Sequence, residues 1–99
     1  MRRGTTPTHE FSTDINLTSA EVLYITYKQD GESIIEKDIG EVDIEAEKVT
    51  TRLTQEETLK VQPHGTVKVQ IRARLAGGEA VASNIMSASP EDILKDGVI

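Results

Sequence analysis

Residues 65–89, GTVKVQIRARLAGGEAVASNIMSAS, alternate apolar and polar side chains with one interruption at Ala76-Gly77-Gly78-Glu79. Period-two alternation puts Val67, Val69, Ile71, Ala73 and Leu75 on one side of an extended segment, and Lys68, Gln70, Arg72 and Arg74 on the other. One face is written for burial and the other for water. A Gly pair between two such arms supplies a hairpin turn, so the segment reads as a long hairpin, half of a two-layer β structure. It is no phosphate loop, which joins a strand to a helix.

The same rhythm runs back through the chain. His9 to Ile15 alternates, with Phe11, Thr13 and Ile15 on one side, and stops at the polar break Asn16-Leu17-Thr18-Ser19. Glu21 to Lys28 is dense in β-branched and aromatic residues and ends at Gln29-Asp30-Gly31-Glu32, whose Asp-Gly pair suits the positive φ angles of a tight turn. Ser33 to Lys37 is its hairpin partner. After a break at Ile39-Gly40-Glu41, Val42, Ile44 and Ala46 alternate with Asp43, Glu45 and Glu47, and Val49, Thr51 and Leu53 continue the pattern. Short strands at about ten-residue spacing are the rhythm of an all-β sandwich or barrel.

Two helical signals interrupt the strands. Thr54-Gln55-Glu56-Glu57 is a capping box, in which a Thr and a Glu three residues later satisfy two backbone N–H groups. With Pro63 barring extension, the spacing predicts one or two turns over residues 55–60, with Leu59 packing inward. Ser89-Pro90-Glu91-Asp92 predicts a second short helix start with Pro at its first position, giving Ile93 and Leu94 an apolar side.

Ninety-nine residues suffice for one domain with a modest core. The reading divides the chain into a flexible arm (1–8), a β-sandwich (9–89) and a tail (90–99) that forms a short helix or an added strand. Cysteine is absent, which excludes disulfides, thiolate metal sites and thiol nucleophiles. Beyond Arg2 and Arg3, 9 basic residues stand against 17 acidic ones, and Phe11, Tyr24 and Tyr27 are the whole aromatic supply. That balance speaks against nucleic acid as a partner, and Tyr24 and Tyr27 fall on opposite sides of their strand, which gives no stacking shelf. No apolar run is long enough for a membrane span, and Met1 to Thr8 lacks the apolar stretch of a secretory signal.

Chemistry-bearing residues are sparse. His9 and His64 lie far apart without metal-ligand spacing and read as surface histidines. Glu41, Asp43, Glu45 and Glu47 fall on one side of a strand, about 7 Å apart, without the tight loop of a Ca²⁺ cage; they read as a solvated face. Ser83 and Ser87 have no nucleophile context. The remaining candidates are contact residues. Lys68, Arg72 and Arg74 form the one basic stripe in the body, suited to an acidic partner surface, while Arg2, Arg3, Ile93, Leu94, Val98 and Ile99 make sticky ends that either fold back onto the sandwich or are offered to a neighbouring chain as added strands.

The order of features, Arg3-Gly4-Thr5-Thr6-Pro7-Thr8, Asp14-Ile15-Asn16-Leu17-Thr18, Val22-Leu23-Tyr24-Ile25-Thr26, an Asp30-Gly31 hairpin and Leu53-Thr54-Gln55-Glu56-Glu57-Thr58 before a long hairpin, resembles small structural proteins of tailed bacteriophages and prophages of Gram-positive bacteria. It is similar to the N-terminal β-sandwich of phage baseplate upper proteins, whose D-L-T-x-A strand entry is matched by Asn16-Leu17-Thr18-Ser19-Ala20 and whose L-T-x-E-x-T turn is matched by Leu53 to Thr58. Ala82-Ser83-Asn84-Ile85-Met86 and Ile93-Leu94-Lys95-Asp96-Gly97 add to the likeness. The long C-terminal region of those proteins has no counterpart here, so the resemblance implies a tail, baseplate or head-tail component and no direct role in host binding.

The expectation is therefore an immunoglobulin-like antiparallel β-sandwich of about seven strands with one short connecting helix near 55–60, no catalytic set and no cofactor. The resemblance implies a non-enzymatic virion protein, present in the bacterial cytoplasm during assembly, that contacts other phage structural proteins or itself. A small monomeric β-sandwich module for carbohydrate or peptide is the alternative.

Overall fold

A computed structural model of the protein describes residues 1–99. Its strands are β1 (Thr8–Ser12), β2 (Ala20–Gln29), β3 (Glu32–Asp38), β4 (Asp43–Glu45), β5 (Lys48–Arg52), β6 (Val67–Leu75), β7 (Ala80–Ala82) and β8 (Met86–Ala88). A 3₁₀ turn spans Ile39–Glu41, and α1 spans Gln55–Leu59. One sheet runs β1-β5-β4; the other runs β3-β2-β6, with β7 and β8 both on the far edge of β6. All strand pairs are antiparallel.

β7 and β8 are two halves of one hairpin arm. Arg72 pairs with Ala82 before the interruption and Val69 with Met86 after it. Between them the Ser83 hydroxyl accepts from the Ile71 N–H at 3.0 Å, and the Ser83 N–H donates to the Ile71 carbonyl at 2.9 Å. A side-chain oxygen thus stands in for a ladder carbonyl where the arm bulges. Counted as one, the two halves give seven strands. The chain builds the β2-β3 hairpin in one sheet, moves to β4 and β5 beside β1 in the other, and returns through β6 to lie next to β2. That strand order is immunoglobulin-like, although the inter-sheet disulfide and tryptophan that often accompany it have no residues here.

The core lies between the sheets. Leu23, Ile25 and Tyr27 of β2 and Val67, Val69 and Ile71 of β6 face Val49 of β5, joined by Leu53 and Val61. Their alternation is the one read from the sequence. Asp30 and Gly31 take φ angles of 53° and 79°, which aligns β2 with β3. Thr54 and Glu57 complete the capping box in both directions, which starts α1 where expected.

Four local expectations are corrected. The helix expected from Ser89 does not form, because the Glu91 N–H donates to Met1 O and its carbonyl accepts from the Arg3 N–H; Glu91 instead bridges Arg2 in parallel. By the same bonds the arm 1–8 is docked, and Leu53 N–H donates to Pro7 O as the arm crosses to the other sheet. Glu41 leaves the β4 row: it ends the 3₁₀ turn, where its carboxylate accepts from the Asp38 N–H. In α1 the fully buried residue is Thr58, whose hydroxyl donates to Thr5 O at 2.9 Å, while Leu59 is only half-buried.

Candidate interaction surface

The outward face of the larger sheet is set by the same alternation that buries its inner face. From Tyr24 onward, each outward residue of β2 is flanked by one from β3 and one from β6: Asp38, Tyr24 and Arg72 form one row, and Glu36, Thr26 and Gln70 the next. A bulge between Tyr27 and Lys28 leaves Ile34 as the extra residue of β3, and the following row places Lys28 directly opposite Lys68. Like charges directly opposed destabilise a sheet. Lys28, Lys68 and Arg72 have no carboxylate within 4.0 Å, and Arg74 reaches Glu21 only at 3.9 Å between two exposed side chains.

The face also carries apolar surface. Tyr24 is 43% exposed beside Arg72, and Ile85, in the bulge between β7 and β8, is 63% exposed. Of the sequence-derived contact residues, Lys68, Arg72 and Arg74 therefore share one surface. Tyr24, Lys28, Glu36 and Ile85 belong to it as well and were not singled out, although Tyr24 and Lys28 stand at the outward positions of β2 that the alternation marks.

The other candidates lie at one end of the sandwich and are partly consumed by the chain itself. Arg3 donates through Nε to Val61 O at 2.6 Å and pairs with Asp92 at 3.2 Å; only 15% of its side chain is exposed. Arg2 pairs with Glu91 at 2.7 Å. A hydrogen bond from the Ile93 N–H, followed by that from Arg3, holds the Asp92 carboxyl below its ordinary value of 3.8, outweighing its small burial penalty. Ile93 packs toward Gly4 and Leu59. Leu94, Val98 and Ile99 stay exposed, the last with its backbone held in a two-point clamp by the Gln55 amide, at 2.8 and 3.0 Å.

A buried polar network ties the sheets together. Tyr27 is fully buried, and its hydroxyl lies 2.7 Å from His9 Nδ1. Burial, reinforced by the Glu57 charge, pushes the Tyr27 hydroxyl up, so it keeps its proton and is the natural donor to Nδ1. Burial, with the N-terminal charge second, moves His9 below its ordinary 6.5. His9 is therefore half-buried and bonded, contrary to the surface reading. His64 lies in the exposed turn, where its carbonyl, with that of Gln62, accepts from the buried Gln29 amide. No three His, Cys, Asp or Glu side chains converge as a metal site.

No family model matches the chain, and no curated protein matches it. Among solved structures it is similar to the V domain of amphioxus IgVJ-C2, at 17% identity and a TM-score of 0.39, over 94% of this chain and 97% of that one. The immunoglobulin-like assignment rests on the strand order itself.

Proposed function

We propose that this chain is a non-enzymatic protein-interaction module, working as a structural or assembly component of a tailed-phage particle and docking through the outward face of β3, β2 and β6. The observation that carries the mode of action is the direct opposition of Lys28 and Lys68, with Arg72 on the same face, none of the three having a carboxylate within 4.0 Å. In the isolated chain that arrangement costs stability. A partner surface bearing carboxylates turns the cost into specific attraction, and Tyr24 and Ile85 supply apolar contact beside the charges. The phage setting, with residence in the virion and in the cytoplasm during assembly, is supported by the sequence resemblance alone.

A photo-activatable crosslinker at Arg72, compared with one at Ser12 on the opposite sheet, tests this in cells producing the particle. The expected result is a discrete adduct from position 72, identified by mass spectrometry as a virion protein or a second copy, and none from position 12. No protein adduct from position 72 contradicts the reading.

A further inference from the structure

The charges of the outward face are sorted by strand. β3 contributes Glu36 and Asp38, β6 contributes Lys68 and Arg72, and between them β2 presents Tyr24 and Thr26, with Lys28 at one end. The Glu36 carboxylate makes no hydrogen bond or ion pair within the chain, and the Asp38 carboxylate uses only Oδ1, which accepts from the Gly40 N–H at 2.9 Å. The acidic and basic strips flank β2 at about 5 Å on either side.

We propose that the occupant of this face is a second copy of the same chain, related by a two-fold axis lying above β2 and nearly parallel to it; this rests on the interaction-module reading. Rotation about that axis carries β3 of one copy over β6 of the other and leaves each row at the same height. Asp38 of one copy then meets Arg72 of the other, and Glu36 falls between Lys68 and Arg72. Tyr24 meets Tyr24 and Thr26 meets Thr26 near the axis, while Lys28 meets Lys28 at the end of the contact, a like-charge cost that the Asp38–Arg72 pairs and the Glu36 contacts must outweigh. Such an interface is isologous, so each charge pair forms twice and association closes at a dimer. Two-fold axes that lay β6 on β6 set cation against cation and are disfavoured.

The small crossing of two-fold-related strands suits aligned sheet packing, in which mean strand directions stay within about 30°. The three strands that overlap, about 5 Å apart and some 25 Å long, give a footprint on the order of 400 Å². That is below the range of a stable interface, so the dimer is weak and transient and, being charge-dependent, sensitive to salt.

Sedimentation equilibrium with complementary charge variants tests the pairing. Variant one carries Lys68→Glu and Arg72→Glu; variant two carries Glu36→Lys and Asp38→Asn, Asn being retained because it still caps the 3₁₀ turn. Circular dichroism establishes that each is folded. The wild-type chain is expected to reach twice its 10.9 kDa mass at low salt and to dissociate at high salt. Each variant alone is expected to be monomeric, and an equimolar mixture to recover the dimer mass at least tenfold more readily than either alone. A monomeric wild type at low salt, growth beyond a dimer, or self-association indifferent to these substitutions overturns the proposal. A monomer that still gives an Arg72 adduct with another virion protein overturns only the second-copy assignment, whereas loss of every adduct also removes the interaction reading.

Discussion

Lys37 Nζ lies 2.6 Å from Glu57 Oε1, joining β3 to α1 through a side chain only 5% exposed. Glu41 adds a second carboxylate at 3.5 Å. An inward-pointing lysine on an edge strand discourages pairing with foreign strands, and here it also fixes the helix that closes the end of the sandwich. The same Glu57 oxygen accepts from the Thr54 N–H at 2.9 Å, so one carboxylate serves both a cap and an ion pair.

Breaking that pair from either side is expected to be unequal. Glu57→Gln leaves the deeper Lys37 cation with only the longer Glu41 contact and is expected to cost about 2 kcal/mol, less than a fully buried pair because Glu57 remains partly hydrated. Lys37→Met removes the buried charge instead and is expected to cost less. Urea unfolding of the two variants against wild type measures the difference.

Acid should weaken the fold in two windows. Burial raises Glu57, but the hydrogen bonds from Lys37 and Thr54 and the Lys37 charge outweigh it and hold the carboxyl below its ordinary 4.5. Its contribution is complete above that value and lost as pH falls through the lower folded value, and Glu57→Gln should flatten that limb. His9, also held below its ordinary value, contributes fully above 6.5 and loses its contribution as pH falls below it, since the unfolded chain takes up the proton first. Urea midpoints at pH 7.5 and 5.5 should therefore converge in His9→Phe.

Tyr27→Phe removes the hydroxyl facing His9 Nδ1 and leaves a half-buried ring nitrogen without its partner. The expected cost is about 1 to 2 kcal/mol with the fold intact, read by urea unfolding at pH 7.5.

Gly4 has φ +70°, and a Cβ there would sit 2.7 Å from Ile93 Cδ1. Gly4→Ala therefore adds backbone strain of about 1 to 2 kcal/mol and pushes Ile93 aside. Limited proteolysis should then cut the tail 90–99 faster. Adding Ile93→Ala should relieve the crowding and leave only the backbone strain.

The sheets were legible because each inner face repeats at period two: Leu23, Ile25 and Tyr27 on β2, and Val67, Val69 and Ile71 on β6, all sit where alternation puts them. The turn at Asp30-Gly31 and the cap at Thr54 were legible because their chemistry is local. Lys37 was not, since its partner Glu57 lies twenty positions away and its burial depends on the meeting of β3 with α1. Leu17 is nearly fully buried inside what reads as a polar break, because its N–H donates to Ala46 O and the loop folds over the sheet end. Which residues the terminal arginines bind was hidden for the same reason. Their acceptors, Val61, Glu91 and Asp92, are brought close only by the closed sandwich. The basic stripe was visible as a pattern, but its acidic counterpart on β3 became a strip only once β2 was placed between them.

The most direct measurement is a dilution series of amide NMR spectra on the assigned wild-type chain at low salt. Concentration-dependent shifts are expected at Tyr24, Thr26, Glu36, Gln70 and Arg72, all on one face, and are expected to vanish on adding salt. Shifts confined to Leu94, Val98 and Ile99, or spectra that do not change with concentration, would contradict docking of two copies through this sheet.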